Sequence, residues 1–315
     1  MRSIQKRSFA LLIYALIGVS FNSEAQIIKD SGWIYDSDQN SDGQGDSGKI
    51  QTVCKGSSCS CQREITFKTG KMKKVLSYNC CFDKSHLKNG QQIHTLSMAG
   101  LGMGDVAWHI NGFIDIVSDG SSIAGRIPEI KTEENEDHGI AQYIWPLPNG
   151  KVEVSFRAEY GDDLFSVQVK FQDINLLHKR EIMFICYPST LAMGVAGAYR
   201  DRYCITPKRS LQHWNDKLWK ELSAEEFWLV YCDKYWDLGI EKNKGKCDGP
   251  CALLYIPSEY QTAEIKVSNY EIYTHFICGD KNEFNFLLWP SVGIANAEFI
   301  DKMNLIRINA SNTQK

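Results

Sequence analysis

Lys151–Ala158 reads KVEVSFRA and Leu164–Phe171 reads LFSVQVKF, with Gly161-Asp162-Asp163 between them. In the first segment Val152, Val154 and Phe156 fall on one side, and Glu153, Ser155 and Arg157 on the other. A period of two is the signature of a strand buried on one face. The Gly-Asp-Asp stretch supplies turn chemistry, so the two segments form an antiparallel hairpin. Upstream, Ala141–Trp145 (AQYIW) and the turn Pro148-Asn149-Gly150 add a neighbouring strand.

The same style extends both ways. Arg63–Lys68 (REITFK), Val75–Phe82 (VLSYNCCF) and Phe113–Val117 (FIDIV, before the turn pair Asp119-Gly120) read as strands. So do Glu181–Tyr187, Phe227–Cys232, Ala252–Ile256, Ala263–Val267, Tyr270–Cys278 and Glu283–Trp289. Two short helices are expected: Leu218–Glu226, with Ser223 as a cap, and Asn296–Leu305, with Asn296 as a cap. No repeat of fixed period is present. Many strands and few helices predict an all-β fold, a large antiparallel β-sandwich with a few short helices. Two consecutive sandwiches, divided within 179–210 where Pro188, Gly194, Gly197 and Pro207 interrupt the pattern, are the alternative.

The N-terminus predicts export. Arg2, Lys6 and Arg7 precede the apolar run Phe9–Phe21, and Ser23 and Ala25 place small residues at −3 and −1 of a cleavage site before Gln26. The run is too short to span a bilayer. The predicted organisation is a signal peptide at 1–25, an Asp/Gly-rich linker or calcium loop at 26–50, a β-sandwich domain at 51–308 and a disordered tail at 309–315. The expected location is secreted, periplasmic or at the cell surface, with no integral membrane segment after cleavage. Losing Arg2, Lys6, Arg7 and Glu24 with the leader moves the net charge from −3 to −5. That mild acidity argues against a nucleic-acid partner.

Export also changes the meaning of the eleven cysteines. They are too sparse for a disulfide scaffold without a core. Neither C-x4-C-x-C from Cys54 to Cys61 nor adjacent Cys80-Cys81 has paired zinc-ligand spacing. Disulfides are therefore expected, mostly among Cys186, Cys204, Cys232, Cys247, Cys251 and Cys278, with Cys247–Cys251 as a local pair.

The 36–46 segment carries the most definite chemistry. Asp38, Asn40 and Asp42 alternate along it, Gly43 permits a sharp bend, and the Gln44 carbonyl and Asp46 follow. This spacing lets one loop surround a hard cation with oxygens, so calcium is the expected, structural cofactor. These dozen residues resemble the calcium loops of EF-hands, dockerins and thrombospondin type 3 repeats. Lys49 stands where an EF-hand carries its bidentate Glu, so the resemblance is better to a thrombospondin-type loop.

Weaker constellations suggest a carbohydrate ligand. Trp108 and His109 follow the Gly102–Asp105 stretch, and Arg202, His213 and Trp214 sit in the irregular region. Rings that stack and donors that bind hydroxyls are what a sugar requires. Glu129, Glu133, Glu134, Glu136 and Asp137 read as a solvated loop, and Glu153 and Glu159 are further carboxylates of the kind glycosidases pair. The chain has no G-x-S-x-G, H-E-x-x-H, P-loop or dinucleotide fingerprint, and no residue is assigned a catalytic role. The expected function is carbohydrate recognition outside the cell. The alternatives are a polysaccharide hydrolase or lyase on a large sandwich, and a surface protein held by calcium and disulfides. Asn309-Ala310-Ser311 is a glycosylation sequon, relevant only in a eukaryotic host.

Overall fold

The structure, a computed structural model, describes residues 27–34, 53–55, 58–83, 87–88, 91–92, 98–104, 112–175, 179–186, 202–212, 218–233, 251–268 and 271–289. All the strand pairings among them are antiparallel, and the fold is an all-β sandwich. One layer is a nine-stranded sheet. Its order is Glu129–Glu134, His138–Leu147, Gly150–Glu159, Phe165–Gln172, Glu283–Trp289, Cys251–Tyr255, Trp228–Asp233, Arg202–Ile205 and Ser210–Gln212. The opposing layer is split between two smaller sheets. One has six strands: Lys220–Glu221, Tyr260–Val267, Ile272–Cys278, Arg180–Cys186, Ile114–Ser118 and Ser121–Ser122. The other has Ile28–Ile34, Ser58–Lys68, Lys73–Asp83 and Met98–Gly104 in order, with Val53–Lys55 also on Ser58–Lys68.

The hairpin of Gly150–Glu159 and Phe165–Gln172 explains the core. Val152, Val154 and Phe156 sit opposite Phe171, Val169 and Val167, and all six are buried. The same row continues through Phe284 and Phe286 of the neighbouring strand. This single face meets both small sheets. Phe165 packs edge-on against Phe67 of the five-stranded sheet, with centroids 4.9 Å apart. Phe286 packs on Phe184 and Phe276 of the six-stranded sheet, at 4.8 and 5.4 Å. Each such ring removed from water contributes about 1.5–3 kcal/mol, with T-shaped contacts adding to it.

Strands from before 172 and after 202 share the nine-stranded sheet through Phe165–Gln172 and Glu283–Trp289. Arg180–Cys186 likewise joins Ile114–Ser118 to Ile272–Cys278. Among the described residues the chain is therefore one sandwich, and not two in succession divided within 179–210.

Local chemistry fixes the register. Ser118 pairs with Ser121 around Asp119-Gly120, both at positive φ (48° and 76°), as a two-residue primed turn requires. Gly150 has φ +141°, and a Cβ there would stand 2.6 Å from the Gln172 carbonyl oxygen, so only glycine closes the Leu147–Gly150 turn without strain.

Three expectations change. The 218–226 segment is not a helix: Lys220 and Glu221 pair with Ile265 and Glu264, and strand pairing overrides weak local helix preference. Ser223 does open a turn, donating its N–H to Glu226 Oε2 at 2.9 Å, but Phe227 leads straight into the next strand. The acidic run is not wholly loop. Glu129–Glu134 is an edge strand with Ile130 turned inward, and its charges face water, where they oppose edge-to-edge association. Within 26–50, residues 28–34 form a strand rather than linker. Ile27 and Ile28 pack over Gly139, where a Cβ would lie 2.5 Å from Ile28 Cγ1, and both donate backbone N–H groups to Glu134. The Asn296–Leu305 helix lies outside the described residues.

Candidate functional site

Among the described residues, the outer face of the six-stranded sheet holds the one cluster in which an exposed aromatic meets ionisable groups. Strand Ile272–Cys278 alternates strictly, so Ile272, Thr274, Phe276 and Cys278 enter the core and Tyr273, His275 and Ile277 face out. Arg180–Cys186 does the same, leaving Glu181, Met183 and Ile185 outside. The register puts Met183 opposite His275 and Glu181 opposite Ile277. Glu181 and His275 are thus diagonal neighbours, and their side chains meet with Nε2 2.7 Å from Oε2.

Glu181 is an anion here. Burial alone would raise its carboxyl, but Lys179, 2.7 Å away, and His275 hold it below the ordinary carboxylate value. A carboxylate can only accept, so His275 donates through Nε2 and presents Nδ1 as its other ring nitrogen. On the next strand Glu264 and Lys266 stand opposite His275 and Tyr273.

Trp219 completes the cluster. It precedes the short edge strand Lys220–Glu221, which carries it over the sheet. Its ring lies 6.3 Å from Tyr273 and 5.8 Å from His275, inclined at 54° and 59°. Trp219 remains 40% exposed and Leu218 is 74% exposed. Among the described residues the only other exposed large apolar side chain is Tyr160. A tryptophan and a leucine left side by side in water are an informative departure from ordinary burial.

The outer face of the nine-stranded sheet also carries an ionisable group, His138 Nδ1 3.2 Å from Arg157, which pairs with Glu159, but Trp219 and Leu218 stand on the other sheet. One half is polar: Glu153 accepts from Gln172 at 3.0 Å, Ser155 at 3.1 Å and Gln142 at 3.4 Å. The other half is covered, with Trp228, Val230, Cys232, Ala252, Leu254 and Trp289 buried as a second apolar cluster. Glu153 and Glu159 lie on one strand six residues apart, roughly 20 Å at about 3.3 Å per residue, far beyond the separation of paired glycosidase carboxylates. Glu159 is instead ion-paired with Arg157 at 2.5 Å.

Of the residues singled out from sequence, Trp108, His109, His213 and Trp214 lie outside the described residues, as do Asp38, Asn40, Asp42, Gln44 and Asp46. Arg202 is buried, on a strand between Ser210–Gln212 and Trp228–Asp233. It lies away from solvent, where a soluble sugar does not reach it. Cys186, Cys204, Cys232, Cys251 and Cys278 are buried thiols, and Cys251, expected to pair with Cys247, has Cys186 as its neighbour at 3.3 Å. Cys247 itself lies outside the described residues. Sequence reasoning misses Glu181, Trp219 and His275 as a group. The signal for two of them is present in the alternation of EIMFICY and YEIYTHFIC, which sets Glu181 and His275 outward.

No protein-family model and no curated protein matches the chain. Among solved structures it overlaps the GH36 alpha-galactosidase AgaA from Geobacillus stearothermophilus. With a stachyose complex the identity is 8%, the TM-score 0.33, and the overlap covers 66% of this chain and 30% of that one. With a 1-deoxygalactonojirimycin complex the identity is 8%, the TM-score 0.36, and the shares are 78% and 41%. The chain spans under half the length of these proteins, and overlap this loose carries no weight for its function. Among the described residues no helix is long and apolar enough to cross a membrane.

Proposed function

We propose that the chain is an exported β-sandwich protein that recognises carbohydrate through the outer face of its six-stranded sheet. The observation that carries this reading is Trp219, exposed beside Leu218 and set above Tyr273 and His275. An indole face accepts the C–H side of a sugar ring, while Glu181, His275, Glu264 and Lys266 offer polar partners for hydroxyls. Export rests on the basic, apolar and small-residue order of residues 1–25. Cleavage before Gln26 keeps Ile27 and Ile28, which belong to the core.

A glycan array probed with protein starting at Gln26 identifies the ligand, and titration of the best binder tests the face. Trp219→Ala is expected to weaken binding roughly tenfold, the loss of about 1.4 kcal/mol of stacking and burial. Binding by Trp219→Ala equal to wild type overturns this placement. A polysaccharide hydrolase or lyase is the second reading. The Glu181–His275 pair favours it, because a carboxylate that fixes one imidazole nitrogen leaves the other oriented for proton transfer. Release of reducing ends or unsaturated products, lost in Glu181→Gln, decides for it.

Calcium binding at Asp38, Asn40, Asp42, the Gln44 carbonyl and Asp46 is proposed as a structural accessory. With Lys49 at the closing position, affinity falls in the weak extracellular range of about 10⁻⁴–10⁻³ M. Millimolar calcium is expected to raise the Tm of wild type and not of Asp42→Ala. An unchanged Tm together with no heat of binding in calorimetry overturns it.

A further inference from the structure

Cys186 closes strand Arg180–Cys186 in one layer of the sandwich, and Cys251 opens strand Cys251–Tyr255 in the other. Both are fully buried, and their sulfurs are 3.3 Å apart across the core. We propose that Cys186 and Cys251 are a disulfide-forming pair that bolts the six-stranded sheet to the nine-stranded sheet in the oxidised protein.

A disulfide needs the sulfurs at about 2.05 Å, so closing the gap takes little more than 1 Å of combined side-chain and strand movement. The two positions are 65 residues apart in sequence. The bridge would therefore close the whole excursion that contains Arg202–Ile205, Ser210–Gln212, Lys220–Glu221 and Trp228–Asp233. That excursion includes Trp219. The bridge would brace the base of the segment from which the exposed indole is presented.

The chemistry balances as thiol–disulfide exchange with a disulfide oxidant, either glutathione disulfide or an oxidase of the export compartment. One cysteine thiolate attacks the oxidant, whose S–S bond breaks and releases a first thiol. The second cysteine then attacks the mixed disulfide and releases a second thiol. The protein gives up two electrons and two protons, and the oxidant carries them as its two thiols. Burial, with the hydrogen bond to Cys251, pushes the Cys186 thiol well above its ordinary value. Thiolate is therefore scarce once the sheets have closed. The bond forms while the sheets are assembling, and is shielded from reductant afterwards.

The test uses full-length mature protein, refolded in a glutathione redox buffer. This makes its outcome independent of whether the natural chain is exported. After alkylation under denaturing, non-reducing conditions, peptide mapping is expected to find the Cys186 and Cys251 peptides joined, about 2 Da lighter than the sum of the thiol forms. Reduction is expected to lower the Tm by roughly 10 °C, given the long closed loop. In a Cys186→Ala/Cys251→Ala variant the reductant-dependent drop shrinks by that amount, which isolates this bridge from any other. Alkylation of both cysteines in the oxidised sample, or a map joining Cys251 to Cys247 or Cys204 instead, overturns the proposal. If the variant does not fold, the peptide map of wild type alone decides.

Discussion

Glu226→Ala is expected to lower the unfolding free energy by about 3 kcal/mol, the lower end of the range for breaking a buried ion pair. The side chain is 2% exposed yet fully engaged. Oε1 accepts from Thr206 Oγ1 and Arg209 Nε, each at 2.8 Å. Oε2 accepts from the Ser223 N–H at 2.9 Å and Arg209 Nη2 at 3.2 Å. Its backbone carbonyl accepts from the Tyr255 hydroxyl at 2.6 Å. The carboxylate thus ties the 206–209 turn to the 221–226 turn, and the 221–226 turn anchors the edge strand that carries Trp219. Truncation leaves the half-buried Ser223 N–H without its acceptor and the Thr206 hydroxyl with only the Arg209 carbonyl, at 3.2 Å. Arg209 is 39% exposed and recovers water, which keeps the cost at the low end.

Urea unfolding measures the loss, and the corresponding Tm drop is roughly 6–12 °C. The pH dependence has a definite sign. Burial alone would raise the Glu226 carboxyl, but the Ser223 N–H, Thr206 and Arg209 more than offset it and hold it below the ordinary value of 4.5. A carboxylate lowered by folding contributes stability that is complete above 4.5 and is lost as pH falls through the folded value. Wild type should therefore lose stability below pH 4.5, and Glu226→Gln should show a shallower acid limb. Identical acid limbs would remove this carboxylate from the account. A loss under 1 kcal/mol in Glu226→Ala would show that the clamp is dispensable.

The same residue shows where sequence reading stops. Ser223-Ala-Glu-Glu226 has the spacing of a helix capping box, but only half of one forms: Glu226 accepts the Ser223 N–H, while the Glu226 N–H goes to the Ser223 carbonyl, as in a simple turn. The path of the chain beyond the cap is decided by a partner strand some forty residues away, which local pattern does not contain. The strands most legible from sequence are those with one buried face and long alternation, such as Gly150–Glu159 and Phe165–Gln172. Short edge strands such as Arg202–Ile205 and Ser210–Gln212 are too brief to establish a period. Strand Cys251–Tyr255 is buried on both faces and shows no alternation, yet its apolar run and length identify it.

The candidate site divides likewise. Alternation turns Glu181 and His275 outward, but their contact spans 94 residues and depends on a register that sequence does not specify. Trp219 reads as the second residue of a helix, because nothing nearby signals that Lys220 and Glu221 join a sheet. The cation at position 202 reads as a ligand contact in an Arg-Asp-Arg loop, and only the sheet order reveals that it points into protein.

Arg180→Ala is expected to cost about 3 kcal/mol as well, by a different route. Arg180 is 2% exposed, and its guanidinium donates to neutral oxygens. Nη1 donates to the Lys281 carbonyl at 2.6 Å and to Asn282 Oδ1 at 3.1 Å, and Nη2 donates to the Gly279 carbonyl at 2.5 Å. The guanidinium also lies 5.3 Å from the Phe171 ring centroid. Gly279–Asn282 is the corner where the chain leaves Ile272–Cys278 in one layer and enters Glu283–Trp289 in the other. Asn282 continues the join by accepting the Phe171 N–H at 2.8 Å. One planar fork therefore satisfies the inward carbonyls of a crossing between sheets, and charge-assisted bonds of this kind are worth about 1.5–3 kcal/mol. If geometry matters more than charge, Arg180→Lys should recover little. A compact ammonium on a shorter, flexible stem cannot reach three acceptors spread along a corner while stacking on a ring, so roughly 2 kcal/mol of the loss should persist. Urea titration with an unchanged m-value would place the loss in the native state. Arg180→Lys at wild-type stability would mean that the positive charge alone holds the corner, and the fork argument would fall.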